Sequence, residues 1–265
     1  MKLMSANKMP AVFIGHGSPM NAISDNQYTQ AWAALGQSLP KPKAILMISA
    51  HWYTRGTAVT AMAQPRTIHD FGGFPEPLYQ MQYPASGSPE LAQQVADLLA
   101  PLPVYLDKSE WGLDHGAWEI LVRMYPQADI PVVQLSIDGT KPAAWHLEVG
   151  RKLASLREQG VMIMASGNVV HNLREMNWQN ANVEAYPWAR SFEQFVIEHL
   201  TSKQLPHPLT AALIREDGRR SNPSPEHFLP LLYVIGSWDG KEAISTPTEG
   251  IVSGSLSMLS VQVGE

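Results

Sequence analysis

Three of the nine histidines follow apolar segments that are predicted to be buried strands. His16 comes directly after "AVFIG", His51 directly after "AILMISA", and His171 four residues beyond "VMIMASG". The carboxyl ends of parallel strands meet at one edge of a sheet, where open α/β proteins form their binding crevice. We therefore expect these imidazoles to converge, with His227 in "PEHF" as a fourth candidate. Clustered imidazoles can bind a transition metal or transfer protons.

His16 lies between two glycines in "GHGSPM", which is compatible with a nucleotide-binding loop, an oxyanion loop or a metal site. Met20 stands where the dinucleotide fingerprint requires its third glycine, and no phosphate-binding G-x-x-x-x-G-K-[ST] loop occurs. No G-x-S-x-G nucleophile elbow and no H-E-x-x-H helix occurs either. The interpretation that remains is a metal-ligand histidine whose neighbouring glycines let backbone and substrate approach closely.

The other histidines stand in more ordinary surroundings. His115, in "GLDHGAW", is as consistent with a substrate contact in an aromatic loop as with a turn residue. His69 belongs to "IHDFGGFP", a loop that could form a lid, and its role stays open. His146 is expected to pack within a helix, whereas His199 and His207 are expected to be solvated.

Composition restricts the chemistry and the partners. The 265-residue chain has no cysteine, so a metal would be held by His, Asp or Glu, and an imidazole site suits Zn²⁺ or Fe²⁺ equally. A net charge of −5 without a basic cluster argues against nucleic acid or an anionic membrane as partner. The N-terminal stretch lacks the apolar core of a signal peptide, and no run is long enough to span a bilayer. These features predict a cytoplasmic protein.

The predicted elements alternate between strands and helices. The predicted strands are "AVFIG" (11–15), "AILMISA" (44–50), "AVTAM" (58–62), "PVVQLSI" (131–137), "VMIMASG" (161–167) and the alternating C-terminal "GSLSMLSVQVG". The predicted helices are 28–39, 88–102, 141–160, 187–200 and 224–236, the last from its Ser-Pro-Glu start. The order predicts one three-layer α/β domain over residues 1–265, with a mixed, largely parallel central sheet flanked by helices. The aromatic segment 64–84 is predicted to be a long ordered loop that covers a site.

Six blocks together resemble a known family. They are "GHGSPM", "SAHW", "HDFGGFP", "DHGAW", "ASGNVVHNL" and "NPSPEHFLPLLYVIG". In this order they resemble the 4,5-DOPA extradiol dioxygenase group of the class III extradiol ring-cleaving dioxygenases, over about residue 9 to the C-terminus. Any one block would be a weak signal, whereas the ordered set is specific.

The resemblance implies a role for five histidines. It makes His16 and His51 metal ligands and His227 the third ligand. Better-known members of the superfamily have a glutamate as third ligand; here Glu226 is adjacent, and the three-histidine pattern of the DOPA-type group favours His227. His171 matches the catalytic acid/base histidine and could also be a fourth metal ligand. His115 matches the histidine that faces substrate or oxygen.

The resemblance further implies a non-haem Fe(II) enzyme that opens a catechol such as L-DOPA between carbons 4 and 5 with O2, although Zn²⁺ can occupy such a site. No other cofactor is implied, and the sequence does not indicate an oligomeric state. Two alternatives use the same histidines: a zinc-dependent hydrolase and a non-catalytic metal-binding protein. Oxygen uptake separates the dioxygenase from both.

Overall fold

Apolar strands assemble into a central sheet in the computed structural model, which describes residues 8–265. The strands are β1 (Ala11–Gly15), β2 (Ala44–Thr54), β3 (Thr57–Thr60), β4 (Arg66–Thr67), β5 (Val104–Asp107), β6 (Gly112–Leu113), β7 (Val132–Asp138), β8 (Val161–Gly167), β9 (Ile244–Ser245), β10 (Ile251–Val252), β11 (Leu256–Ser257) and β12 (Val261–Val263). Eight of them form the main sheet in the order β5-β3-β7-β2-β8-β1-β12-β9. Residues 1–7, which belong to the N-terminal stretch assessed above as a signal peptide, lie outside the described residues.

The sheet is mixed and largely parallel, as the sequence predicts. Its centre, β7-β2-β8-β1, is parallel throughout, and β3 pairs with β5 in parallel. The antiparallel pairs lie towards the edges, between β3 and β7 and on the two sides of β12. Continuous burial of the central strands explains why they are nearly all apolar.

Helices cover both faces of the sheet. They are α1 (Gln27–Ser38), α2 (Glu76–Tyr79), α3 (Pro89–Leu99), α4 (His115–Met124), α5 (Ala143–Leu153), α6 (Pro187–His199), α7 (Glu216–Ser221) and α8 (Leu229–Gly236). Side chains alternate across a strand, so Phe13 packs with the helices of one face while Val12 packs with α1 and α4 on the other. This arrangement is the predicted three-layer α/β architecture.

Several predicted boundaries are wrong. The helix expected from residue 224 begins at Leu229, after a turn, and the segment around His115, predicted as a loop, is the start of α4. The single C-terminal strand is divided into β11 and β12. The predicted loop 64–84 contains β4 and α2. No helix among residues 8–265 is both long and apolar enough to cross a membrane.

Three neighbouring strands bring the first histidines together. β2, β8 and β1 are adjacent and parallel, so their carboxyl ends lie at one edge of the sheet. His16 follows β1, and its N–H donates to the Gly167 carbonyl at the end of β8 (3.0 Å). His51 lies within β2, where the register against β7 shifts between Ile48 and Tyr53. Such an irregularity can re-aim a side chain out of the regular pleat.

Candidate metal centre

The five histidines singled out in the sequence line one cavity at this edge of the sheet. The cavity has a volume of about 310 Å³ and contains His16, His51, His115, His171 and His227. Phe71, Phe74, Leu173, Met176, Trp178 and Leu256 form most of the remaining wall. Imidazoles from distant parts of the chain thus meet inside a largely apolar cavity.

The imidazoles lie within contact distance of one another. The Nε2 atoms of His16 and His51 are 3.3 Å apart. The ring centre of His227 lies 5.4 Å from that of His16 and 5.2 Å from that of His51. His171 stacks on His227, with centres 3.5 Å apart and planes within 4°. On the opposite side, the centre of His115 lies 3.8 Å from that of His51.

Polar side chains hold the outward-facing Nδ1 atoms. His51 Nδ1 lies 3.3 Å from Asp70 Oδ2, and His227 Nδ1 lies 3.4 Å from Glu226 Oε1. A carboxylate only accepts hydrogen bonds, so it favours the tautomer in which Nδ1 carries the proton and the Nε2 lone pair is free to bind a metal in the cavity. His16 Nδ1 is 2.9 Å from Ser166 Oγ, which places its Nε2 inward as well.

Burial favours the neutral form of these rings. Desolvation, followed by repulsion from the neighbouring histidines, lowers the pKa of His16 and His227 well below the ordinary value. Desolvation and the proximity of His115 lower the pKa of His51 to about 3, and desolvation lowers the pKa of His171 to about 4. A neutral imidazole is the form that binds metal ions.

The donor set fits a divalent transition metal. Tetrahedral coordination with metal–nitrogen distances of about 2.0–2.1 Å places ligand nitrogens about 3.3 Å apart, the separation of the two Nε2 atoms. His227 Nε2 is buried without a hydrogen-bond partner among residues 8–265, and a metal ion would satisfy it. The outer carboxylates resemble those that orient metal-bound histidines elsewhere.

His115 is also placed to contribute a ligand. Donor atoms of His16, His51 and His115 all lie within 4.8 Å of one another. His115 begins α4, where Asp114 caps the helix by accepting from the Ala117 N–H. Its Nδ1 lies 3.0 Å from Asp70 Oδ2, so Asp70 contacts both His51 and His115.

The remaining histidines lie elsewhere. His69 Nε2 lies 2.9 Å from the Met81 carbonyl in the loop. His69 does not line the cavity, whereas the neighbouring Phe71 does. His146 is buried against the Tyr233 hydroxyl, as expected of a packing residue. His199 is half-buried, and His207 is buried and accepts from the Leu209 N–H; the prediction that both are solvated is wrong.

Three supporting side chains were missed or misassigned from the sequence. Asp70 orients two histidines, and Ser166 orients His16. Ser166 could have been predicted as a site residue, because it is a polar residue near the end of an apolar strand. No local sequence pattern predicts that Asp70 contacts His51. Glu226, considered from the sequence as a rival metal ligand, accepts from Ser224 Oγ (2.7 Å), and its Oε1 lies 3.4 Å from His227 Nδ1.

A mainly parallel sheet with a histidine-lined cavity at its carboxyl edge defines the class: an α/β enzyme with a candidate metal centre. The chain belongs to the family described as the catalytic LigB subunit of aromatic ring-opening dioxygenase, which matches residues 10–260. The family resemblance read from the six sequence blocks is confirmed, and the protein is an extradiol ring-opening dioxygenase.

Individual relatives match over almost the whole chain. The chain is 61% identical over 264 residues to the 4,5-DOPA dioxygenase extradiol of Escherichia coli K12, covering 99% of this chain and 97% of that protein. It is 40% identical over 248 residues to the protein of the same name from Beta vulgaris, covering 86% and 91%. A crystal structure of an uncharacterized Escherichia coli K12 protein superposes with a TM-score of 0.87 and 56% identity, over 97% of this chain and 100% of that one.

Proposed function

We propose that the protein is a metal-dependent dioxygenase that opens catechols, L-DOPA among them, between carbons 4 and 5 with O2. The observation that carries the proposal is the convergence of neutral imidazoles, with two Nε2 atoms 3.3 Å apart, inside a cavity that can enclose an aromatic ring. Both oxygen atoms are retained in the product: carbon 4 becomes a carboxyl group and carbon 5 an aldehyde, so no further oxidant is required. The names of the relatives support L-DOPA as one substrate.

His16, His51 and His227 are the metal ligands of this proposal. Each has an outer partner on Nδ1 and an inward Nε2. The family pattern and the inward, buried Nε2 support His227 as third ligand, and His115, whose donor atoms also lie within reach of those of His16 and His51, is the rival. Fe(II) held by these three residues would supply electron transfer between a catechol and O2. Zn²⁺ generally binds such sites more tightly than Fe²⁺, so purified protein can carry zinc without that being the active metal.

The other two histidines act on substrate. His171, stacked on His227 at the cavity wall, takes the proton of a catechol hydroxyl and later returns a proton to the product; without substrate it can serve as fourth ligand. His115, beside His51, hydrogen-bonds the bound substrate or oxygen. The apolar walls formed by Phe71 and Leu256 exclude water and contact the ring.

Oxygen consumption tests the proposal. Apo-protein is loaded anaerobically with Fe(II) and mixed with L-DOPA and simpler catechols, with zinc-loaded protein and His16→Ala as controls. We expect iron-dependent uptake of one O2 per catechol and a yellow ring-opened product. His171→Ala should retain metal and lose most turnover. Absence of uptake with every catechol, despite stoichiometric iron, would contradict the proposal, and ester or amide hydrolysis by the zinc form would replace it.

A further inference from the structure

A second cavity, of about 560 Å³, adjoins the histidine cavity. The two cavities share Gly17, Ser18, Met176 and Leu256. Ser18 lies two residues after His16 in the chain. Leu256 lies opposite His171 in an isolated β-bridge. A ring substituent that leaves the histidines between Ser18 and Leu256 would therefore enter the adjoining cavity.

The linings of the two cavities differ. Apart from its imidazoles and Ser18, the histidine cavity is mostly apolar. Amide groups and serine hydroxyls line the adjoining cavity, from Ser18, Asn21, Asn26, Gln27, Asn182 and Ser253. Within residues 8–265, no Lys, Arg, Asp or Glu lines either cavity. A substituent in the adjoining cavity would thus meet hydrogen-bonding groups that carry no net charge.

Ser253 presents an unused hydroxyl group to the adjoining cavity. The residue is only 4% exposed, and its Oγ has no hydrogen-bond partner among residues 8–265. Its backbone is fixed on both sides, since its N–H donates to the Ala181 carbonyl (2.8 Å) and its carbonyl accepts from the Asn177 N–H (2.9 Å). Its φ of 52° lies in the left-handed region, which a serine adopts at a cost in free energy. The fold therefore holds a free donor at this wall against a local backbone preference.

Helix α1 begins at the same cavity. Asn26 Oδ1 accepts from the N–H groups of Tyr28 and Thr29, so the N–H of Gln27 is the one that the cap leaves free in the first turn. The positive end of this 12-residue helix favours an anion. The side-chain amides of Gln27 and Asn182 have no hydrogen-bond partner within the described part of the chain, so their oxygens can accept from an ammonium group.

From these groups we infer that the adjoining cavity binds the amino acid group of the catechol substrate. The Ser253 hydroxyl and the Gln27 N–H donate to the α-carboxylate, and the amide oxygens of Gln27 and Asn182 accept from the α-ammonium group. The inference rests on the proposed function and names the residues that set its substrate preference. Because a lining without net charge gives a single ionic charge no counterion, a zwitterion should bind better than a substituent with one charge.

A substrate series on the Fe(II)-loaded enzyme tests the inference. It comprises L-DOPA, dopamine, which lacks the carboxylate, 3-(3,4-dihydroxyphenyl)propanoate, which lacks the ammonium group, and 4-methylcatechol, which lacks both. We expect the highest kcat/KM for L-DOPA and a value at least about tenfold lower when either charged group is missing, as for lost hydrogen bonds to a charged group. Calorimetric titration of the zinc-loaded protein with the same compounds, without oxygen, should give the same order of Kd values.

Variants locate the effect in the adjoining cavity. Ser253→Ala should lower the ratio of kcat/KM for L-DOPA to that for dopamine by about tenfold. Ser253→Gly removes the same hydroxyl but tolerates the positive φ, so it should lower this ratio equally. Asn182→Ala should instead lower the ratio for L-DOPA to that for the propanoate. Ser86→Ala, at an exposed serine outside both cavities, is the matched control and should change neither ratio.

Three results would overturn the inference while leaving the dioxygenase proposal intact. The first is an unchanged ratio for L-DOPA to dopamine in both Ser253 variants. The second is a decrease in Ser253→Ala that Ser253→Gly does not share, which would assign the effect to the backbone. The third is a lower ratio in Arg174→Gln, because Arg174 is exposed and lines neither cavity. Failure to open any catechol, 4-methylcatechol included, would instead contradict the dioxygenase proposal.

Discussion

At the scale of single residues, the site depends on which nitrogen of each ring faces inward. Asp70, Ser166 and Glu226 occupy the Nδ1 sides of His51, His16 and His227. Supporting groups of this kind fix the tautomer and the ring orientation of metal-binding histidines. In the adjacent pair, Glu226 therefore orients the ring and His227 offers the ligand nitrogen. Substituting each residue separately should distinguish these two roles.

Substitution of His227 should abolish metal binding. His227→Ala removes the buried Nε2 donor, so we expect a substoichiometric metal content and no protection by Zn²⁺ against thermal unfolding. Glu226→Gln keeps the ligand and should weaken metal affinity by about 10–100-fold. Competition with a chromophoric chelator measures both. Retention of metal by His227→Ala together with its loss in His115→Ala would assign the third ligand to His115.

Asp70 is a positioning residue for two imidazoles. Its Oδ2 lies 3.3 Å from His51 Nδ1 and 3.0 Å from His115 Nδ1, and its Oδ1 accepts from the His115 N–H. Asp70→Asn keeps an acceptor for the backbone but weakens the orientation of both rings. We expect a loss of about 10–100-fold in metal affinity, measured by chelator competition, with near-normal secondary structure. The exposed carboxylate Asp25, changed to Asn, is the control and should leave the affinity unaltered.

At the scale of elements, α4 must lie against the site, and one glycine permits it. A Cβ at Gly116 would lie 2.6 Å from Ser49 Oγ and 2.8 Å from His51 Cδ2. Gly116→Ala should therefore displace His51, lower metal affinity and cost about 1–3 kcal/mol of stability. Gly72→Ala, where a Cβ meets nothing within 4 Å, is the matched control. Equal melting temperatures and metal affinities for the two variants would contradict the argument.

α4 also buries a carboxyl group that gives a pH dependence. Both oxygens of Glu119 are buried without a hydrogen-bond partner among residues 8–265, and burial, followed by the nearby Asp70 and Asp114, raises its pKa well above the ordinary value. The folded state then binds this proton more tightly than the unfolded state, so the free energy of unfolding falls as pH rises. Glu119→Gln should remove this decrease in the free energy of unfolding. The melting temperature of the variant minus that of the wild type should therefore increase from about pH 5 to about pH 8. A constant difference across this range would contradict the assignment.

Sequence patterns predict the central strands better than the helix starts. β1 and β8 have the predicted bounds because continuous apolar runs between turn residues have few alternative structures. The start of α4 was missed because Gly112 and Gly116 suggest a turn, although Asp114 is a good N-cap. Pro225 and Pro230 are both compatible with the first turn of a helix. The structure begins α8 at Leu229, so Pro230 and not Pro225 lies in its first turn.

Of the site, the sequence identified the histidines but not their supports. His16 and His51 are linked to strand ends by local pattern, so their convergence follows from the order of the parallel strands. Asp70 reaches His51 and His115 only through the packing of a loop against the sheet, a contact that no periodicity encodes. The position of His115 at a helix start was not predicted because Gly112 and Gly116 suggested a turn in place of the start of α4.

At the scale of the whole molecule, we propose that the chain unfolds as one domain. Arg157 bonds to residues near both ends of the described chain, so these segments should unfold together. Arg157 is fully buried, pairs with Glu242, and donates to the carbonyls of Met9, Ser237 and Val263. Removing one partner of a buried pair costs about 3–5 kcal/mol, so Arg157→Met should shift the urea midpoint strongly, whereas the exposed Arg219→Met should not. Far-UV circular dichroism and tryptophan fluorescence should report one coincident transition in each protein, displaced as a whole by Zn²⁺. Two separate transitions, only one of them sensitive to zinc, would mean that the histidine site and the Arg157 cluster belong to different cooperative units.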